Sequence, residues 1–112
     1  MAAILKSLGK TVVPVAGVPV AVAVPAIINP PTVHAFLVEV LAGNTGNVYV
    51  GTSDLVKSTL VGVLVVLPVP TANQLATFSV SITSAGNALA LTDLYIDADV
   101  NGDGVLISAI VW

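Results

Sequence analysis

The residues that could carry chemistry fall in one run, Asp97-Ala98-Asp99-Val100-Asn101-Gly102-Asp103-Gly104. Oxygen-bearing side chains at alternate positions followed by glycine match the first half of a calcium loop, D-x-D-x-N-G. Such a loop offers a hard cation several carboxylate and carbonyl oxygens at close range. Position twelve counted from Asp97 is Ser108, not the bidentate Glu that completes an EF-hand, and the flanks read as strands rather than helices. The same residues also make a hairpin turn at Asn101-Gly102-Asp103-Gly104, where Asp and Gly satisfy turn geometry and the acids hydrate the loop. A turn accounts for the run more simply than bound calcium. Asp97, Asp99, Asn101 and Asp103 are the candidate ligands, and calcium is the one candidate cofactor. The remaining inventory is poor in catalysts. His34 is the single imidazole and there is no cysteine. Glu39 lies five residues beyond His34 and so on the opposite face of a strand. No nucleophile–base–acid arrangement can be built, His34 reads as a packed or interfacial residue, and the chain is expected not to be an enzyme.

The elements that position these residues are constrained by composition. A chain of 112 residues holds one domain's core. It is 56% hydrophobic and carries three Lys, no Arg and six acidic residues. A soluble small domain has charge on about a quarter or more of its surface positions. So few charges predict that much of the surface is covered by other copies, a homo-oligomer, rather than by water. Three Lys with a pI near 4.5 cannot neutralise a run of phosphates, which argues against a nucleic-acid partner.

Thr11 to Ile28 is the longest uncharged apolar stretch, preceded by Lys6 and Lys10 and containing a cleavage-like Ala21-Val22-Ala23. Pro14, Pro19 and Pro25 argue against a membrane helix, since each removes a helical hydrogen bond and extends the residue before it. No membrane partner is expected. Val at 12, 13, 15, 18, 20, 22 and 24 adds β preference. Residues 1–31 are therefore expected to be an extended Pro/Val-rich arm ahead of a β-domain at 32–112, gripping a neighbour. Val18, Val20, Val22, Val24 and the terminal Trp112 are its candidate interface residues.

From Thr32 onward the pattern is that of strands. Val33–Ala42 is apolar on both faces, Gly43-Asn44-Thr45-Gly46-Asn47 is a turn cluster, and Val48-Tyr49-Val50 follows, so 33–51 reads as a hairpin. Gly51–Lys57 reads as a turn or irregular piece. Thr59–Leu67 is a second doubly apolar strand, closed by Pro68-Val69-Pro70. Ala76–Thr83 alternates, with Phe78, Val80 and Ile82 opposite Thr77, Ser79, Ser81 and Thr83. Ala88–Asp97 and Val105–Trp112 complete an all-β chain: an antiparallel β-sandwich or jelly roll of six to seven short strands.

Three segments, Ala42-Gly43-Asn44-Thr45-Gly46-Asn47-Val48-Tyr49-Val50-Gly51, Leu91-Thr92-Asp93-Leu94-Tyr95-Ile96-Asp97 and Gly102-Asp103-Gly104-Val105, resemble in order the hairpins and strands of small β-sandwich virion proteins of tailed bacteriophages. The resemblance covers about residues 33–112. It implies a capsid decoration (cement) subunit, often trimeric, that binds the major capsid protein on the outside of the head and is assembled in the host cytoplasm. A second class stays open: a calcium-dependent receptor- or carbohydrate-binding β-domain of a head or tail fibre. Its support is the Asp97–Asp103 run, and against it stands an aromatic content of 4%, since sugar sites rest on aromatic platforms.

Overall fold

Along Ala35–Val40 and Gly104–Val111 the burial alternates with period two, because successive strand side chains point to opposite faces. The computed structural model describes residues 4–26, 32–71, 73–81 and 89–111. Ten strands follow in chain order: β1 (Ile4–Val12), β2 (Val20–Ala21), β3 (Thr32–Val33), β4 (Ala35–Val40), β5 (Val48–Val56), β6 (Val61–Leu67), β7 (Thr77–Ser81), β8 (Leu89–Ala90), β9 (Tyr95–Ala98) and β10 (Gly104–Val111). A 3-10 turn, Leu91–Asp93, separates β8 from β9.

The strands form two four-stranded antiparallel sheets, ordered β1-β10-β4-β7 and β2-β9-β5-β6, with β3 and β8 as a two-stranded ladder beside them. One core is shared by both. Val38, Val40, Val105, Ile107 and Ala109 face inward from the first sheet, and Val48, Val50, Ile96, Ala98 and Leu67 from the second. All are almost wholly removed from water. Full burial of each Val or Ile contributes about 1.5–3 kcal/mol. The chain is thus all-β and antiparallel, as its sequence predicts.

The connectivity departs from expectation. Of the links joining the eight long-sheet strands, β5 to β6 is a hairpin within one sheet, and the other six cross from one sheet to the other. The expected hairpin at 33–51 is accordingly not one: β4 belongs to the first sheet and β5 to the second. Likewise the 99–103 turn joins β9 to β10 across the sheets. A short Gly/Asn loop serves either purpose, and the choice is made by which apolar face each strand must bury. Gly51–Lys57, expected as irregular, instead lengthens β5 to Val56, with register shifts on either side of Gly51.

The expected arm at 1–31 is also corrected over its described part. Residues 4–26 form no helix and run extended on either side of a turn at 15–18, but they belong to the domain. β1 pairs along its length with β10, from Ile4↔Val111 to Val12↔Gly104. A bulge admits Leu8 as an extra residue, and its side chain turns into the core. Val13 and Val22 are core residues too. The edge strand β1 is blunted by that bulge and by Lys6, which shares the inward face of Ala109. Residues 1–3 and 27–31 of the expected arm, the 84–87 turn and Trp112 lie outside the described residues. Among those described, no helix is long and apolar enough to cross a membrane.

Candidate functional site

Two facing turns and a loop bring the acidic run together with distant parts of the chain. Turn 15–18 closes with a Val18 N–H to Val15 carbonyl bond of 3.1 Å, and turn 100–103 with Asp103 N–H to Val100 carbonyl at 3.2 Å. Their third residues, Gly17 and Gly102, have φ of 91° and 89°, a region that a type II turn demands at that position and that glycine enters without strain. The turns are joined by main chain: Gly102 N–H donates to Val13 O at 2.8 Å, and Val13 N–H to Asp103 O at 2.9 Å.

The side chains of the run then act on backbone donors of other segments. Asp97, 1% exposed, accepts from Gly17 N–H at 2.9 Å and from Ala98 N–H at 2.7 Å. Asn101 Oδ1 accepts from Ala16 N–H at 2.7 Å. Asp103, 5% exposed, accepts from Gly46 N–H at 2.8 Å and Thr45 N–H at 3.1 Å. Beside it the buried Asn44 amide spans Gly104, donating to its carbonyl at 2.8 Å and accepting its N–H at 3.0 Å. A carboxylate buried in an apolar protein is tolerated when its lone pairs meet N–H donors. This is a polar clasp tying residues 13–17, 44–46 and 97–104.

The candidate calcium ligands are therefore close in sequence but are not gathered around a common point. Asp97 and Asn101 serve the 16–17 backbone, Asp103 serves the 45–46 backbone, and Asp99 faces solvent. Among the described residues no group of three His, Cys, Asp or Glu side chains is placed to hold a metal ion. Asp99 makes an ion pair with Lys57, Nζ to Oδ1 3.3 Å, and accepts from the Tyr49 hydroxyl at 3.1 Å. Lys57 also donates to Ala98 O at 2.8 Å. Desolvation, followed by the adjacent Asp99 carboxylate, pushes the Tyr49 phenol above its ordinary pKa of 10.0. His34 is half-buried at the break between β3 and β4, where its backbone N–H donates to Ile110 O at 2.9 Å.

The candidate interface valines separate on inspection. Val18 is exposed. Val20 pairs with Ile96 and packs on the core, Val24 packs there as well, and Val22 is part of it. The apolar surface lies elsewhere. On the outer face of the first sheet, Leu5 is 76% exposed, Leu106 42%, Leu37 40% and Ile110 37%. A shallow groove there is lined by Leu5, Ala35, Leu37, Ser79, Ser108 and Ile110. A second apolar cluster, Val56, Leu60 and Val61, sits at the tip of the β5–β6 hairpin. The sequence signal for the first was available: β4 and β10 carry large apolar residues at both parities, which means one set must face outward.

Comparison with protein-family models, with curated proteins and with solved structures finds no match to this chain.

Proposed function

We propose that this chain is a structural virion protein, a capsid decoration subunit of the tailed-phage type that assembles with its own copies, as a trimer on the resemblance, and attaches to the major capsid protein. The jelly-roll reading is supported by two four-stranded sheets linked by six crossings, with one hairpin inside the second sheet and β1 beside β10. That architecture is common to viral capsid proteins and lectins. Connectivity alone assigns no function. The observation that carries the reading is the exterior: a largely apolar sheet face bearing Leu5, Leu37, Leu106 and Ile110, with Lys10 and Glu39 as its charges, on a chain whose buried acids are spent on holding loops. Such a face binds by burial rather than by chemistry. The calcium-dependent binding alternative draws on Asp97–Asp103, where Asp97 and Asp103 already accept from backbone donors and Asp99 is paired with Lys57.

The test is an image of particles made with and without this chain. Cryo-electron microscopy of the assembled heads is expected to show surface density of about 11.2 kDa per copy that disappears when the chain is deleted. Attachment is expected to survive about 1 M sodium chloride, since apolar burial is not screened by salt, and to fail in urea. Heads indistinguishable with and without the chain would refute the assignment.

A further inference from the structure

The outer face of the β1-β10-β4-β7 sheet is complementary to itself, and we propose that it is a two-fold interface between two copies of this chain. The register fixes which residues share that face, since paired residues of an antiparallel ladder point the same way. Three cross-strand rows result: Leu5–Ile110–Ala35–Ser81, Ser7–Ser108–Leu37–Ser79 and Lys10–Leu106–Glu39–Thr77.

A two-fold axis running along β10 between two such faces sets β10 on its own copy and β1 on the partner's β4. Each row then meets itself reversed. Leu5, the most exposed large apolar residue of the face, falls over Ala35 of the other copy, and Leu37 over Ser7, so each large side chain meets a small one. Leu106 and Ile110 meet their own counterparts. Lys10 falls over Glu39, twice by symmetry. Within one chain these two charges are separated by Leu106 between them, and among the described residues the ion pair present is Lys57–Asp99, leaving Lys10 and Glu39 without one. Aligned sheets pack with strand directions within about 30°, which keeps the central row in place and leaves the long Lys and Glu side chains to span the displacement at the ends.

Two further features favour this occupant. Growth through the β1 edge is blocked by the Leu8 bulge and the inward Lys6, so association through this sheet is directed to its face. The outer side of the other sheet is already partly covered, since turn 15–18 lies over Asp97 of β9. The paired area, three strands wide and seven residues long, is roughly 14 by 23 Å per copy. That is roughly 320 Å² per copy, below the range of stable interfaces, so a weak and transient pairing is expected, with a dissociation constant on the order of 100 µM. The pairing is a two-fold contact distinct from the trimer of the decoration reading and goes beyond that reading: it is measured on the isolated chain, whereas attachment is measured on particles, and either can fail alone.

Sedimentation velocity of the purified chain from about 1 to about 300 µM tests it. Wild type is expected to shift from the unpaired to the paired species across that range. Leu106→Glu, which sets two carboxylates against each other on the axis, is expected to abolish the shift while circular dichroism and the urea midpoint confirm an intact fold. Lys10→Glu and Glu39→Lys are each expected to raise the dissociation constant at least tenfold, and the double exchange Lys10→Glu/Glu39→Lys to restore it, a result that misfolding cannot mimic. A chain that shows no concentration dependence, an association indifferent to Leu106→Glu, or a double exchange no better than its singles would overturn the proposal. So would an unpaired chain whose Leu106→Glu variant loses attachment to heads, since the face would then belong to the particle.

Discussion

Replacing Asp103 by Ala separates a structural clasp from a metal loop. In the folded chain its carboxylate takes the Gly46 N–H at 2.8 Å and the Thr45 N–H at 3.1 Å, while the residue itself is 5% exposed. Gly46 is buried, so its N–H loses its acceptor without gaining water, at a cost of about 1–3 kcal/mol. Thr45 is exposed and its N–H can be rehydrated, so that loss is nearer the net value of one hydrogen bond, about 1 kcal/mol. The sum is about 3 kcal/mol, a large share of the total stability of about 5–15 kcal/mol available to such a domain. With a urea slope of about 1.5–2 kcal/mol/M, the unfolding midpoint should fall by about 1.5–2 M. The measurement is equilibrium urea denaturation followed by circular dichroism, for wild type and variant, each with chelator and with added calcium. If the run were instead a calcium site, ligand at about one hundred times its dissociation constant would add about 2.7 kcal/mol to wild type and nothing to the variant. Calcium is expected to move neither midpoint. A calcium-dependent rise in the wild-type midpoint, or a variant within about 0.5 M of wild type, would show that the clasp is misread.

Leu60 holds φ of 62° at the tip of the β5–β6 hairpin, a left-handed conformation costly for a bulky side chain, and it is 55% exposed. Leu60→Asn is therefore expected to raise stability by about 0.5–1 kcal/mol in the same assay, and a loss would count against strain at that position. The Tyr49 phenol has a folded pKa above its ordinary value, so its contribution is complete below about pH 10 and is lost as pH rises through the folded pKa. Between about pH 8 and pH 11 the urea midpoint of wild type should fall more than that of Tyr49→Phe, and parallel curves would remove Asp99 and burial as the cause. Removing residues 1–13 deletes an edge strand together with the core residues Leu8 and Val13. The truncated chain is expected to be unfolded by circular dichroism, and a cooperative, native-like melt would restore the arm.

Strand content was legible because it is local. Alternation in Phe78, Val80 and their Ser/Thr neighbours, and doubly apolar runs closed by Pro68 and Pro70, identify strands without knowledge of partners. What each strand pairs with was not legible. Asn44-Thr45-Gly46 turns the chain equally well within a sheet or between sheets, and the deciding factor, which faces of β4 and β5 are buried together, is non-local. Pro14, Pro19 and Pro25 excluded a helix correctly, yet they gave no information on whether the extended segment stays with its own domain. Their positions explain the outcome in retrospect: Pro14 and Pro19 flank the turn at 15–18, leaving β1 free of proline and able to pair with β10. The acidic run was recognisable as a turn, but its tie to Gly17 and Gly46 depends on contacts 57 and 80 positions away.

The pairing of β1 with β10 has a consequence for how the molecule comes into being. Ile4 lies opposite Val111, and sheet β1-β10-β4-β7 has β10 as an inner strand, holding β1 on one side and β4 on the other. During synthesis, β1 and β4 both emerge long before the strand that joins them. Bringing ends about a hundred residues apart together costs about 2 kcal/mol more in chain entropy than closing a ten-residue loop. Domains rich in such distant pairings cross their folding barrier slowly, in milliseconds to seconds. A nascent chain stalled anywhere before Gly104 would leave β1 and β4 with no strand between them and the core-facing side of that sheet incomplete, a species prone to aggregate. Folding of this sheet thus waits until Gly104–Val111 has been made, whatever has formed before it.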